Sequence, residues 1–340
     1  MRFLVTGGCG FVGCNLADFL LSRGDEVVVF DNLLRDGVEH NLEWLRGRHK
    51  KNLNFVLGDV RDQKKLDEVV KDVDSVYHTA AQVAVTTSVA DPRMDFEVNL
   101  LGTLNVLEAV RKSKGNPVLI FTSTNKVYGS MEDVELEELS DRYDYKRMKT
   151  GNPESTPLDF HSPYGCSKGG ADQYVRDYAR IYGMRNVVFR MSCIYGTRQF
   201  GCVDQGWVAY FIISSILNRP LTIFGDGKQA RDVLYIDDLV RAFDLATKSI
   251  KMTAGQVYNM GGGPKNVMSL RELISQIEAL SGRKLKYSFD KWRPGDQKIY
   301  YSDTKKAQGD FGWEPTVGKK DGVEKLYNWV KENKKLFEAF

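Results

Sequence analysis

Short apolar runs alternate with amphipathic stretches along the first half of the chain. RFLVTG, EVVVFDN, NFVLGDV, SVYHTAA, PVLIFTST and NVVFRMS each read as a buried strand. Between them, VGCNLADFLLSRG, KKLDEVVKDV and NLLGTLNVLEAVRKS carry apolar residues at helical spacing. Strands that alternate with helices argue for an α/β fold, a Rossmann-like doubly wound parallel sheet with helices on both faces.

After about Met191 the pattern loosens into short strands such as LTIFGDG and LKYSFD and helices such as LRELISQIEALSG. This predicts a smaller C-terminal α+β domain. QVYNMGG, Gln256–Gly262, again resembles a buried strand and is expected to return to the main sheet. The expected division is residues 1–190 with 236–262 for a dinucleotide-binding domain. Residues 191–235 and 263–340 would then mainly form a substrate domain. Ser130–His161 is polar and charged, carries two prolines, and reads as a long loop of the functional or mobile kind.

Composition narrows the function classes. A chain of 340 residues is too long for one minimal core and suits a large domain plus a smaller one. Its 48 Lys and Arg against 45 Asp and Glu leave a net charge of only +3, spread along the chain. A nucleic-acid partner would call for a concentrated basic stripe. The five cysteines match no zinc spacing, so no metal is expected; they read as buried or semi-buried free thiols in a reducing compartment. The N-terminus opens directly into MRFLVTGG, and no apolar run approaches the ~20 residues that span a bilayer. The expectation is a cytoplasmic protein without a membrane partner.

The first strand runs into Gly7-Gly8-Cys9-Gly10-Phe11-Val12-Gly13 and then a helix. Glycine is needed where a turn is tight, where backbone approaches a pyrophosphate, and where helix packs on strand. The helix N-terminus then offers its unpaired N–H groups to phosphate. A glycine trio alone is weak evidence, but here it follows a strand, opens a helix, and precedes EVVVFDN with Asp31 and Asn32 at the strand end. Asp31 would accept hydrogen bonds from ribose hydroxyls and repel a 2′-phosphate, which favours NAD over NADP. Arg35 stands close enough to weaken that inference, although it reads more simply as a solvated loop residue. Asp59, followed by Val60, either faces the adenine amino group or caps a helix. Ala80, Ala81 and Gln82 end the fourth strand, and small residues there would let the cofactor lie close.

Tyr164 and Lys168 sit in SPYGCSKGGADQYVRDYAR, a helix that opens near Pro163. A spacing of four puts both side chains on one helical face. A free tyrosine has a pKa of ~10, too high for a base at neutral pH. A neighbouring ammonium and a positive nicotinamide ring would both favour phenolate. Tyr164 could then take a proton from a sugar hydroxyl as hydride leaves the same carbon. Alone, a Tyr–Lys pair at this spacing is as well explained as a surface pair. It gains weight downstream of PVLIFTSTNKVYG, whose strand ends in Ser123, Thr124 and Asn125. Thr124 is the expected hydroxyl beside the reacting oxygen, and Ser123 a neighbour that orients nicotinamide or substrate.

With TGGCGFVG, the strand-end Asp31, TSTNKVYG, YGCSK and RDVLYIDDL together, the chain resembles the extended short-chain dehydrogenases/reductases, specifically the nucleotide-sugar epimerases and dehydratases. The resemblance covers almost the whole length. FDNLLRDGVEHNLEWL, QVAVTTSV, LDFHSPYGCSKGGADQY and RQFGCVDQGWVAYF look like the CDP-tyvelose (CDP-paratose) 2-epimerase group within it. That resemblance implies inversion at C-2 of a hexose on a nucleoside diphosphate, with NAD used transiently. It implies Tyr164 as base, Lys168 as its partner, Thr124 as hydroxyl relay, and Gly7, Gly10 and Gly13 at the pyrophosphate of NAD. Arg231 and Arg293 look like the arginines that grip the substrate diphosphate, a role suited to a guanidinium fork. Ser88, Arg198, Gln199, Gln205 and Trp207 either line the sugar or base pocket or support packing. A homodimer is also implied.

Two departures bear on specificity. Met191 stands where histidine is expected in that group, and Asn125-Lys126 replaces the acidic pair of 4,6-dehydratases. The leading expectation is a 2-epimerase. The alternatives are a 4-epimerase of UDP- or GDP-sugars and a non-catalytic dinucleotide-binding sensor or scaffold.

Overall fold

In the computed structural model, which describes residues 1–293 and 296–338, the strands follow the apolar runs closely. They are β1 (Arg2–Thr6), β2 (Glu26–Asp31), β3 (Leu53–Leu57), β4 (Ser75–His78) and β5 (Val118–Thr124). A short hairpin, β6 (Leu136–Glu138) and β7 (Tyr143–Tyr145), precedes β8 (Asn186–Met191) and β9 (Cys193–Tyr195). Then come β10 (Leu221–Phe224), β11 (Ala230–Tyr235), β12 (Val257–Met260), β13 (Val267–Ser269), β14 (Tyr287–Asp290) and β15 (Ile299–Tyr300).

Seven of these form one parallel sheet in the order β12-β8-β5-β4-β1-β2-β3. The order reverses between β1 and β4, the point at which doubly wound sheets open a crevice at their carboxyl ends. Among the helices are α1 (Phe11–Ser22), α2 (Val38–Arg48), α3 (Gln63–Val69), α4 (Val85–Ala90), α5 (Pro92–Phe96), α6 (Gly102–Lys112), α7 (Ser162–Tyr182), α8 (Trp207–Ile216) and α9 (Ile236–Lys248). Successive strand residues point to opposite faces. Phe3 and Val5 pack with Leu16, Leu20, Leu42 and Phe243 from α1, α2 and α9. Leu4 packs with Leu66, Val106, Val110 and Val175 from α3, α6 and α7. With both faces covered, every residue of β5 is buried, and this is why its first four residues, Val118 to Phe121, are all apolar.

Beyond β8 the chain builds smaller sheets. β11 pairs with β9, β13 and β15, and β10 pairs in parallel with β14. Val257–Met260 does return to the large sheet, running parallel to β8 at its edge with Val257 opposite Val188. The expected loop Ser130–His161 is more structured than its polarity suggested. Tyr143 and Tyr145 share one face of the β6–β7 hairpin and bury themselves against Ile299 and Tyr301. Asn152 bridges to Ser302. Most charged residues of this segment face outward, but Glu154 accepts the Asn259 N–H at 2.8 Å, and Met131, Val134, Leu136 and Met148 pack with the two tyrosines.

The cysteine expectation also needs correction. Cys9 and Cys14 are buried and Cys193 partly so, but Cys166 and Cys202 are exposed. Among the described residues no helix is long and apolar enough to cross a membrane.

Candidate active site

A cavity of about 960 Å³ lies over the carboxyl ends of the main strands and extends toward β10 and β11. Its floor begins at the glycine turn. Gly7 adopts φ +66°, and a Cβ there would sit 2.7 Å from the Ala80 backbone. At Gly13 a Cβ would fall 2.2 Å from the Gly7 carbonyl, so α1 can approach β1 only with glycine at that position. Gly10 caps α1 without any side-chain acceptor for the first amides. Gly10, Phe11, Val12 and Gly13 all line the cavity, leaving the helix N-terminus open to an anion.

Asp31 ends β2 nearly buried, 8 % exposed. Burial raises its pKa, and backbone N–H groups oppose the rise. The amides of Cys9 and Leu33 each donate to it at 2.9 Å. Asn32 donates to Asp59 at 2.9 Å. Arg61 forks onto the same carboxylate at 2.9 and 2.8 Å, holding its pKa down at about 2. Asp59 is not the helix cap; Asp62 fills that role by accepting from Lys65. Val60, Ala80 and Ala81 line the cavity.

Gln82 does not line it. Its amide nitrogen donates to the Ala84 carbonyl and to Asp95, both at 2.8 Å, fixing the loop after β4. Arg35 is not a free surface arginine either, since it reaches across the cavity mouth and donates to Gln205.

Thr124 ends β5, and Tyr164 and Lys168 lie one turn apart on α7. The Thr124 hydroxyl donates to Asn125 Oδ1 at 3.4 Å and accepts the Lys126 N–H at 3.2 Å, and it lies near enough to the Tyr164 phenol to lower its pKa. Lys168 Nζ donates to the Thr122 carbonyl at 2.6 Å. Burial pushes the phenol up to about 12 and the ammonium down to about 7, against the pull of Asp172 and Asp95. This corrects the expectation that the neighbouring ammonium lowers Tyr164. In the protein alone burial and the Asp95 charge raise the phenol, and the Thr124 hydroxyl is what lowers it, so a further positive charge is needed to favour phenolate.

Ser123 lines the cavity wall, but its hydroxyl donates to Asp172 at 2.8 Å. Asp172 in turn holds Arg190 through two bonds of 2.8 and 2.9 Å, fully inside the protein. Ser123 therefore braces β5 against α7 instead of presenting its hydroxyl to a ligand. Ser88 is fully buried and accepts the backbone N–H of Tyr164 at 3.1 Å, so it positions α7 and does not face the cavity. Arg198 lies in the wall, yet its guanidinium stacks over Trp44 at 4.1 Å and Trp329 at 5.3 Å, neither of which lines the cavity. Gln199 is buried and donates to the Ile194 carbonyl at 3.3 Å. Trp207 and Met191 line the cavity.

Arg231 donates to the carbonyls of Ala230 and Gln297 at 2.8 and 2.7 Å. Arg293 lies 3.7 Å over Phe224, with Asp204 3.5 Å away. Both line the cavity, so the expected pair of guanidinium groups does reach it. Lys126 lines it too and was not singled out for binding; its signal was its place two residues after Thr124. Among the described residues no cluster of three or more His, Cys, Asp or Glu could hold a metal.

This arrangement has relatives of known type. A family model described as GDP-mannose 4,6 dehydratase matches residues 4–326. CDP-paratose 2-epimerase of Salmonella typhi is 46% identical over 337 residues, 97% of this chain and 99% of that protein. The crystal structure of UDP-glucuronic acid 4-epimerase from Bacillus cereus, complexed with UDP-glucuronic acid and NAD, matches with a TM-score of 0.83 at 31% identity. It covers 98% of this chain and all, 100%, of that one. The dTDP-glucose 4,6-dehydratase of Streptomyces venezuelae, solved with NAD bound, gives a TM-score of 0.84 at 29% identity, covering 100% of this chain and 99% of that one. The chain belongs to this family of nucleotide-sugar epimerases and dehydratases.

Proposed function

We propose that the protein is an NAD-dependent epimerase that inverts C-2 of a nucleoside-diphosphate hexose of the CDP-paratose/CDP-tyvelose type. One observation carries the reading. Thr124, Tyr164 and Lys168 line the same cavity as the glycine turn and Arg231, in a chain 46% identical to a CDP-paratose 2-epimerase.

The residues fit NAD. Gly7 lets the turn pass close beside the Ala80 backbone, α1 presents open amides, and Asp31 supplies a carboxylate for ribose. NAD supplies a hydride acceptor, and a positive ring that favours phenolate at Tyr164. Tyr164 takes the proton of the sugar 2-hydroxyl, with the Thr124 hydroxyl near the phenol. Lys168, anchored on Thr122, supports the charge from below. Bound NAD would accept the hydride from C-2 and supply it to the other face of the 2-keto sugar once that sugar has turned about its phosphate linkage, with Tyr164 giving the proton back. Arg231 and Arg293 hold the diphosphate meanwhile.

Sheet membership supports a cofactor domain of 1–190 with 236–262 and a substrate domain of 191–235 with 263–340. Exposed Phe96, Leu101 and Tyr174, on the packed helices of one sheet face, favour a homodimer. The five thiols suit the cytoplasm. The test incubates pure protein with CDP-, UDP-, GDP- and dTDP-hexoses, without added cofactor, and resolves the epimers by NMR. Inversion at C-4 alone would replace this reading with the 4-epimerase one, which a 34% identical putative UDP-glucose 4-epimerase of Methanocaldococcus jannaschii also represents.

A further inference from the structure

The segment that joins β9 to α8 runs along the cavity, and its first half is fastened to helices of the large sheet. Asn15 of α1 donates to the Thr197 carbonyl at 3.0 Å, and Asn41 of α2 donates to the Arg198 carbonyl at 3.3 Å. The Arg198 guanidinium lies over Trp44 of α2. Gly37, just before α2, packs so closely that a Cβ there would fall 2.5 Å from the Phe200 ring. The chain turns sharply at both ends of the segment, with φ +68° at Arg198 and +76° at Gly206.

The second half is a tight turn. The Cys202 amide donates to the Gln205 carbonyl at 2.9 Å, and the Gln205 amide donates back to the Cys202 carbonyl at 3.2 Å. Cys202, Val203 and Asp204 are exposed. Arg293 holds one flank of the turn by donating to the Val203 carbonyl at 3.2 Å. Arg35, in the loop between β2 and α2, holds the other by donating to the Gln205 side chain. Arg35 and Gln205 line the same cavity as Gly10 and Asp31. A segment with a fixed root and an exposed tip held by a few side-chain bonds can lift at small cost, because few contacts have to break.

We propose that residues 198–206 form a strap over the cofactor end of the cavity, with the Arg35–Gln205 hydrogen bond as its clasp, and that the closed strap keeps a nicotinamide dinucleotide from leaving between turnovers. This rests on the NAD-dependent epimerase reading above. Transient oxidation leaves a reduced cofactor and a keto sugar on the protein together, and loss of either one ends the cycle. The clasp joins the loop that follows Asp31 to the segment that enters α8, so it closes the cavity from both sides at once.

The test follows release of NAD from loaded protein into alcohol dehydrogenase and ethanol, which turn freed NAD into NADH and report it by absorbance. Wild type, Arg35→Ala, Gln205→Ala, the double variant and Gln205→Glu are compared, together with the melting temperature of each apo protein. Arg35→Ala and Gln205→Ala should each release NAD about tenfold faster, the scale of one charge-assisted hydrogen bond. The double variant should release it no faster than either single one, because each change removes the same bond. Gln205→Glu keeps an acceptor for the guanidinium and should restore slow release. Apo melting temperatures should match wild type. Release at the wild-type rate from Gln205→Ala overturns the proposal. So do additive effects in the double variant, or apo melting temperatures that fall in step with release, which would mark a purely structural contact. Because no turnover is measured, a wild type that holds NAD behind the clasp but fails to invert C-2 defeats the epimerase reading and leaves the strap standing. A wild type that binds no NAD defeats both.

Discussion

Lys168 lies one helical turn from Tyr164, yet its ammonium is anchored on the Thr122 carbonyl, 2.6 Å away. That bond spans 46 residues and holds the cation under the end of β5, where it can act on the phenol through space. Thr124, at the tip of the same strand, lowers the Tyr164 phenol against the effect of burial. The strand end and the helix therefore set the geometry of the reacting pair jointly.

Replacing Tyr164 by phenylalanine should lower turnover by ~100-fold or more, the scale of losing a general base. Only a hydroxyl is removed, so retained NAD and melting temperature should match wild type. Near-normal epimerisation by this variant would take Tyr164 out of the mechanism.

The pH profile should report the Lys168 charge. Burial lifts the phenol to about 12 in the protein alone; positive neighbours favour the anion and lower it. Removing one of them must raise it. The rising limb of kcat/KM against pH should thus move to higher pH in Lys168→Met. A limb that stays in place would show that Lys168 does not act on Tyr164 electrostatically.

Arg231→Ala should raise the substrate KM by about tenfold to a hundredfold, the worth of one or two charge-assisted hydrogen bonds to phosphate. NAD should stay bound, because the glycine turn and Asp31 lie elsewhere in the cavity. Loss of NAD on purification would put this arginine at the other pyrophosphate.

The buried pair of Asp172 and Arg190 should matter for stability. Their side chains are 0% and 2% exposed. Asp172→Ala leaves a buried guanidinium without its partner, a change that costs about 3–5 kcal/mol. Thermal unfolding should fall accordingly, whereas Ser123→Ala should cost only about 1.5 kcal/mol, one neutral-to-charged hydrogen bond at the low end. Equal melting temperatures for wild type and Asp172→Ala would show the pair to be dispensable.

Epimerisation in deuterium oxide should leave protium at C-2 of the product, because hydrogen that travels as hydride does not meet solvent. Deuterium entering C-2 at the turnover rate, seen by mass spectrometry, would point to a carbanion and away from transient oxidation.

Local sequence determined which elements form and where the chemistry sits along them. Consecutive apolar residues mark the covered strands, and a glycine is required wherever a Cβ would meet backbone, as at Gly7 and Gly13. The four-residue step from Tyr164 to Lys168 puts both on one face of α7, because a helix repeats every 3.6 residues. Other matters depended on partners far away in the chain. Ser88 looked like a pocket residue and instead holds the Tyr164 amide, 76 positions on. Gln82 ties its own loop to Asp95, and Arg198 is stacked between two tryptophans. Arg35 and Gln205, 170 residues apart, meet over the cavity mouth. Spacing along a chain sets which face a side chain leaves from; what it meets there is decided by packing between elements, which no local pattern encodes.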